Sequence, residues 1–308
     1  MDLSAVYNQI AILFSLLITG YLLGKLKMIQ EEMIRSLTSF ILNIALPALI
    51  IAGMIIPRTS EKLKESIFIL IIAFSTYAGS FIIAKIVTSI IKPPKSHKGI
   101  FEFSLMFSNV GFMGFPVIAT IFGEEAIFYA VIYNIAFVTL VYTLGISLVN
   151  TSEEKYEINL KTILNTGVIA SIIGFVIFAL AIPIPKVLEG VISLVGNTTT
   201  PISMVVIGAM LSTLPLSRMF NNWRIYVIAI MRVFVLPLIV FAIFKYILHI
   251  DNIMLIGVPV IITGMPVAAN AALVVQEYGS EPEVASQCIF ISTLISIASI
   301  PLLSLLFI

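Results

Sequence analysis

The chain has 308 residues, of which 60% are hydrophobic and only 11% are charged, and its formal net charge at pH 7 is +1. Soluble domains carry roughly 25% charged residues, so this composition excludes a soluble enzyme and a disordered chain. A net charge this small also excludes nucleic acid as a partner. The class that remains is an all-α polytopic membrane protein in a lipid bilayer.

Ten apolar stretches, each about as long as a helix that crosses a bilayer, follow one another along the chain. Clusters of charged and turn-forming residues separate them, and no soluble domain fits into the connecting loops. Stretches 1 to 10 span residues 5–25, 36–56, 66–91, 99–122, 126–149, 161–182, 188–213, 223–248, 252–276 and 283–307. The sequence therefore predicts ten membrane-spanning helices.

The basic residues of the loops predict the orientation, because cytoplasmic loops are enriched in Lys and Arg. With the N-terminus outside, the cytoplasmic loops contain Lys25, Lys27, Arg35, Lys92, Lys95, Lys98, Lys155, Lys161, Arg218 and Arg224. The outside loops then contain only Arg58, Lys62, Lys64 and Lys186. We therefore expect a multi-pass protein of the plasma membrane with both termini outside.

The loop at residues 151–160 divides the chain into two halves, 1–150 and 161–308, with five stretches each. Because five is odd, the second half must cross the membrane inverted relative to the first, which is typical of secondary transporters. The halves are thus predicted to be two inverted repeats joined by a short cytoplasmic linker.

Matched prolines support this duplication. Stretches 4 and 9 both contain a Gly-x-Pro-Val segment, with Pro116 in the first and Pro266 in the second. Stretches 2 and 7 contain Pro47 and Pro201, and Gly208 follows Pro201. Pro47, Pro201 and Gly208 are predicted to be structural kinks, since proline removes an N–H donor and clashes with the preceding turn.

Stretches 4 and 9 are predicted to be broken helices. In lipid, a break is tolerated only where it packs in protein or lines a polar cavity. Half-helices restarting near residues 116–122 and 266–276 would direct their N-termini, with partial positive charge, at the membrane midplane, which favours a carboxylate or another anion. The other interpretation is that these are packing kinks, because Gly and Pro are common in membrane helices. The candidate substrate-binding residues are Asn43, Asn109, Gly111, Gly114, Pro116, Thr200, Arg232, Pro266 and Asn270.

Arg232 lies nine residues past Trp223, about 13 Å into a hydrocarbon core about 30 Å thick. Charge at that depth is costly and marks a functional or paired group. Two interpretations remain open: a charge that attracts the anion, or a structural partner of Glu102 or of carbonyls freed by a broken helix. Glu102 is the one plausible embedded carboxylate, so the sequence favours uniport of an organic anion driven by the membrane potential over coupling through a buried acid.

Other chemistry has little support in the sequence. One cysteine, Cys288, and two distant histidines, His97 and His249, predict no disulfide and no metal site. Gly-x-Ser-x-Gly and His-Glu-x-x-His motifs do not occur. We therefore expect a protein that is not an enzyme and needs no cofactor. An ion channel is the other class considered, although broken inverted helices favour alternating access.

Five segments together make the chain resemble the auxin efflux carrier family, which includes plant auxin exporters and many prokaryotic transporters. They are ILNIALPALI in stretch 2, SNVGFMGFPVIATIFG in stretch 4, VGNTTTPISMVVIGAML in stretch 7, MRVFVLPL in stretch 8 and VVQEYGSEPEVASQCIFISTLISIASIPL at the C-terminal end. One departure is LNTGVIA in stretch 6, where many members carry Asn-Pro.

The resemblance implies a fold of ten helices in two inverted repeats, with stretches 4 and 9 crossing at their prolines and the substrate beside the crossover. Asn109, Pro116 and Pro266 correspond to the family's crossover residues. Stretches 1, 2, 6 and 7 would form a scaffold and a homodimer contact, and the others would move in an elevator-like cycle. The predicted function is a secondary transporter that exports a small organic anion. The alternative is a sodium- or proton-coupled transporter like the bile-acid symporters, on the same architecture.

Overall fold

The computed structural model describes residues 3–150, 165–214, 219–279 and 281–307. Helices α1 to α6 are Leu3–Lys25, Glu31–Met54, Ser60–Ile91, Lys95–Met106, Val110–Phe122 and Ala126–Val149. Helices α7 to α12 are Thr166–Ala179, Lys186–Thr213, Trp223–Ile247, Ile253–Gly264, Ala271–Tyr278 and Pro282–Ser304. The described residues form no strand, and their one β-type pairing is an isolated antiparallel bridge.

Seven of these helices, α1, α2, α3, α6, α8, α9 and α12, are long and apolar enough to cross a membrane. Helices α5, α7 and α10 are shorter and apolar. Many large hydrophobic side chains of α1, α3, α7 and α8 are exposed on the surface of the chain, as expected where the solvent is lipid. The all-helical, multi-pass membrane class predicted from composition is confirmed. The linker at residues 151–160 lies outside the described residues.

The helices pack in two groups. In the first group α1 lies along α8, and the second half of α2 packs against α7 and α8. In the second group α3 packs on α4 and α6, α9 packs on α10 and α12, and α11 packs on α12. Contacts between α2 and α6 and between α5 and α8 join the two groups.

The helix crossing in the first group depends on glycine. A Cβ atom added to Gly208 would lie 1.9 Å from the carbonyl oxygen of Leu17, and one added to Gly20 would lie 2.0 Å from that of Val205. Small residues of this kind let two membrane helices approach backbone to backbone. Gly208 was predicted to be a kink. It lies instead within the regular part of α8, where it permits close packing.

Two prolines in other helices, Pro47 and Pro237, follow widened turns. Pro47 in α2 comes two residues after the π-turn Ile41–Ala45, and Pro237 in α9 comes two residues after the π-turn Met231–Val235. Proline clashes with the carbonyl four residues before it, and a wider turn relieves that clash. Pro201 lies in the first turn after an irregularity of α8 at Thr198.

Stretches 4 and 9 are both interrupted, but the helices restart at positions other than those predicted. Helix α5 begins earlier, with the π-turn Val110–Gly114, because the Asn109 side chain caps its first turn. Its regular α-helical part, Phe115–Phe122, coincides with the predicted half-helix near residues 116–122. Helix α11 begins at Ala271 rather than near residue 266, because the residues between α10 and α11 pair with the break in stretch 4.

Candidate functional site

The two broken helices meet at a crossover, which we define as the unwound residues 107–109 and 265–270. The backbone N–H of Asn109 donates to the carbonyl of Pro266 at 2.8 Å, and that of Ala268 donates to the carbonyl of Phe107 at 3.0 Å. These antiparallel bonds give partners to backbone groups that the breaks would otherwise leave unpaired, as a membrane interior requires.

Side chains fix the crossover further. Pro266 disfavours helical geometry at Met265, whose backbone is extended at φ −67° and ψ 151°. The side-chain oxygen of Asn109 accepts a hydrogen bond from the N–H of Phe112 at 3.2 Å, which begins α5. The hydroxyl of Ser292 in α12 accepts one from the N–H of Val267 at 3.0 Å.

Four helix ends converge on the crossover, and they differ in charge. Helices α4 and α10 end there and direct the partial negative charge of their C-termini at it, whereas α5 and α11 begin there and direct partial positive charge at it. The free N–H groups of a first helical turn are good anion ligands. The crossover therefore has a negative side and a positive side.

Arg232 of α9 lies on the negative side. Its Nη1 donates to the carbonyls of Leu105 at 2.6 Å and Met106 at 3.2 Å, and its Nε donates to that of Met265 at 3.3 Å. The residue is only 1% exposed. The sequence left two interpretations of Arg232 open, a charge that attracts the anion and a structural pair. The structure matches the second, because Arg232 pairs with carbonyls that the broken helices leave free.

Glu102 has a different partner. Its carboxylate forms an ion pair with Lys85 of α3 at 2.7 Å and accepts a hydrogen bond from the Thr88 hydroxyl at 3.1 Å. The Glu102 side chain is buried, and Lys85 is half exposed, as expected for a lysine that reaches toward the interface. The embedded acid is therefore neutralised within the second helix group.

A cavity of about 420 Å³ adjoins the positive side of the crossover and lies between the two helix groups. Its amide side chains are Asn43, Asn109, Asn134, Asn165 and Asn270. Its other polar side chains are Ser108, Tyr142, Thr166, Glu277 and Tyr278. Its apolar wall comprises Leu42, Leu46, Phe112, Phe137, Val138, Leu273 and Val274. No Lys or Arg is among the described residues that line it.

The cavity brings together some of the predicted binding residues and not others. Those that line it are Asn43, Asn109, Gly111 and Asn270. Those outside its lining are Gly114, Pro116, Thr200, Arg232 and Pro266. Pro116 lies in α5 behind a π-turn, and Pro266 contributes to the crossover through its carbonyl.

Asn43 of α2 connects that helix to α7 at the cavity. Its side-chain oxygen accepts a hydrogen bond from the Thr166 hydroxyl of α7 at 2.9 Å, and its amide donates to the carbonyl of Ser39 at 3.0 Å. Asn165 caps α7 through bonds to the N–H groups of Gly167 and Val168. These contacts fix the wall of the cavity that faces α5 and α11.

Of the ten described polar side chains that line the cavity, seven were not among the predicted binding residues, and Asn165 and Glu277 are two of them. Asn165 carries a signal that could have shown it, since Asn-Thr-Gly at the start of an apolar run is typical of a helix cap. Glu277 lies one residue beyond the predicted end of stretch 9 and was assigned to a loop. It belongs to the last turn of α11, so a carboxylate lines the cavity where the sequence predicted none.

Two comparisons with known proteins match the sequence of this chain. A family model described as "Membrane transport protein" matches residues 5–304. A protein of Methanothermobacter thermautotrophicus described as an uncharacterized transporter is 25% identical over 290 residues, which make up 94% of this chain and 94% of the relative. The packed membrane helices and these matches define the class: the chain is a multi-pass membrane transport protein.

Within that class the family is also shown. The match covers nearly the whole chain, and the chain belongs to the auxin efflux carrier family.

Proposed function

We propose that the protein is a secondary transporter that exports a small organic anion and binds it in the cavity beside the crossover. The observation that carries this proposal is the asymmetry of the four helix ends. Arg232 compensates the two negative ends, whereas the two positive ends adjoin a cavity lined by amides. An anion is the ligand that helix N-termini favour, and the Asn109 cap on α5 is neutral.

A second observation comes from Ser108. Its hydroxyl is buried, lines the cavity and has no hydrogen-bond partner among the described residues. Buried polar groups are normally paired, so a ligand in the cavity is the natural partner. Together with the asparagine amides, this hydroxyl supplies neutral hydrogen bonds to a carboxylate, while the apolar wall suits a compact hydrocarbon body.

The proposed architecture has ten membrane-crossing helices in two inverted repeats, residues 1–150 and 161–308. The breaks between α4 and α5 and between α10 and α11 support it, because each occupies the fourth predicted stretch of its half. The first helix group would be the scaffold and the second would move past it in an elevator-like cycle. The location of the cavity between the groups supports this movement, since sliding would expose the cavity alternately to each side.

The proposal places the protein in the plasma membrane with both termini outside, as the Lys and Arg distribution predicts. In that orientation the end of α11 with Glu277 faces the cytoplasm. A homodimer through α1, α2, α7 and α8 is proposed from the resemblance. Exposed apolar side chains on α7 and α8, including Ile172, Val187 and Leu194, support a surface covered by lipid or by a second copy.

One observation favours a second mode of transport. Glu277 lines the cavity, and a carboxylate there could carry a proton or hold a cation that moves with the substrate. A sodium- or proton-coupled cycle like that of bile-acid symporters is therefore the alternative. Uniport driven by an inside-negative potential needs no such group, because each exported charge gains about 2.3 kcal/mol per 100 mV.

The test is transport in proteoliposomes that contain the purified protein and a panel of labelled monocarboxylates and dicarboxylates. A potassium diffusion potential is imposed, with and without sodium and with and without a pH gradient. We expect saturable movement of at least one carboxylate that follows the potential alone. A strict requirement for sodium or for a pH gradient would establish the alternative, and transport of no organic anion would overturn the proposal.

A further inference from the structure

On the negative side of the crossover, three backbone carbonyl oxygens surround one cationic group, and we call these three oxygens the cage. Carbonyls of Leu105 and Met106 come from the end of α4, and the carbonyl of Met265 comes from the end of α10. All three accept hydrogen bonds from the one side chain of Arg232, which reaches them from α9. Two helices, α4 and α10, therefore supply the carbonyls, and a third helix, α9, supplies the cation.

The residues around the cage make a free charge expensive there. Arg232 is 1% exposed, and Phe107, which follows Met106, is fully buried. The Phe107 ring stacks on that of Tyr77 with centroids 5.8 Å apart, and the Tyr77 ring lies 5.7 Å from that of Tyr133. The described residues offer the guanidinium no carboxylate within ion-pair distance, so the carbonyls and the two helix C-termini are what compensate it.

Carbonyl oxygens at the ends of broken membrane helices are also the ligands that small monovalent cations prefer. The carbonyl oxygens attract a positive charge whether the cation diffuses in from solution or is attached to the chain. Only the shape of the cationic group differs between the two cases. We propose that the carbonyls of Leu105, Met106 and Met265 form a monovalent-cation site that the chain fills with its own guanidinium. Removal of the Arg232 side chain converts it into a site for a free guanidinium or alkali cation.

The test measures thermal unfolding of the purified protein without substrate, and so does not depend on the proposed function. Arg232→Ala and the wild type are compared in sodium, potassium or methylguanidinium chloride and in N-methylglucamine chloride at equal ionic strength. The matched control is Arg224→Ala, because Arg224 is on the same helix and also donates to helix-end carbonyls, those of Ile91 and Lys92, near the surface.

We expect Arg232→Ala to unfold at a lower temperature than the wild type in N-methylglucamine. Its melting temperature should then rise by about 5 to 10 °C with a binding cation at 100 times its dissociation constant. The wild type and Arg224→Ala should not respond. A response of Arg232→Ala no larger than that of the control, or an unchanged melting temperature in N-methylglucamine, would overturn the inference.

Arg232→Lys decides the outcome if Arg232→Ala yields no folded protein. A lysine supplies a tethered cation without the shape of guanidinium, so a folded Arg232→Lys protein supports the cation site, and an unfolded one contradicts it. The consequence for transport does rest on the proposed function: wild-type transport should need no sodium, while transport by Arg232→Ala should require sodium or methylguanidinium. Failure of transport in every variant would count against the proposed function alone.

Discussion

Asn109→Asp separates the electrostatic role of the crossover from its structural role. The Asn109 side-chain oxygen caps α5 and also lines the cavity. Aspartate is as good a helix cap as asparagine, so the variant should keep the α5 start and the fold. It adds a negative charge, however, where the proposal places an anion. Because Asn109 is buried, the new unpaired charge should also lower the stability moderately. We therefore expect a folded but less stable protein with weakened substrate binding.

The size of the effect follows from the size of the cavity. A sphere of about 420 Å³ has a radius of about 4.6 Å, so a charge on the wall lies about 5 Å from an anion at the centre. At that distance the repulsion is about 3 kcal/mol for an effective dielectric constant of 20 and about 0.8 kcal/mol for that of water. Since each 1.36 kcal/mol is a factor of ten, the affinity should fall between about fourfold and a few hundredfold.

The assay is concentration-dependent transport, in proteoliposomes, of the carboxylate that the wild type moves best, together with the melting temperature of each protein. Asn222→Asp is the matched control, because Asn222 caps α9 in the same way, by accepting a bond from the N–H of Arg224 at 3.1 Å, and does not line the cavity. The control should transport like the wild type. Equal half-saturation concentrations for Asn109→Asp and the wild type would refute the electrostatic argument.

Three further predictions concern the helix packing and the loops. Gly208→Val should lower the yield of folded protein sharply, since its Cβ would meet the backbone of α1. Lys85→Met should destabilise the protein by about 1 to 3 kcal/mol, because it leaves the buried carboxylate of Glu102 unpaired, and addition of Glu102→Gln should restore most of that loss. A bond from Ser96 and the contact with His97 lower the pKa of Glu281 in the loop before α12. The Glu281 carboxylate should therefore stabilise the protein at pH values above 4.5, the ordinary pKa of a glutamate. This stabilisation should disappear as the pH falls through the lowered pKa.

Each of these predictions has a control. Gly190→Val should be tolerated, because an added Cβ meets nothing within 4 Å there, and equal losses at both glycines would contradict the packing argument. For the ion pair, a double variant no more stable than Lys85→Met would contradict the desolvation argument. For the loop, melting temperatures of the wild type and Glu281→Gln should converge in acid, and a constant difference between pH 7 and pH 3 would contradict the linkage.

Much of the fold could be predicted because membranes restrict the options. Only a helix satisfies its own backbone in lipid, so hydrophobic runs predicted the helices, and the matched Gly-x-Pro-Val segments predicted which two are broken. The restart positions could not be predicted from proline alone. The side-chain cap at Asn109 sets the start of α5 at Val110. Pairing between residues 107–109 and 265–270 sets the start of α11 at Ala271.

The partner of Arg232 shows a second limit of the sequence. Its depth in stretch 8 predicted a compensated charge, with Glu102 or carbonyls freed by a broken helix as the partner, but the sequence could not decide between them. The groups that it contacts are backbone carbonyls, which every residue carries, so no sequence pattern distinguishes them. Glu277 was missed for a related reason, because a charged residue at the end of an apolar run predicts a loop whether or not its helix continues.

The charge balance at the crossover also bears on which anions the cavity would accept. Each of the two helix N-termini contributes the equivalent of about half a positive charge, so together they balance about one negative charge, and the lining adds only neutral amides and the carboxylate of Glu277. A second negative charge on the substrate would face that carboxylate without compensation. If the cavity is the binding site, monocarboxylates should therefore bind more tightly than dicarboxylates of similar size, and Glu277→Gln should reduce the difference. Equal affinities for the two classes in the wild type would show that the anion is held by something other than these helix ends.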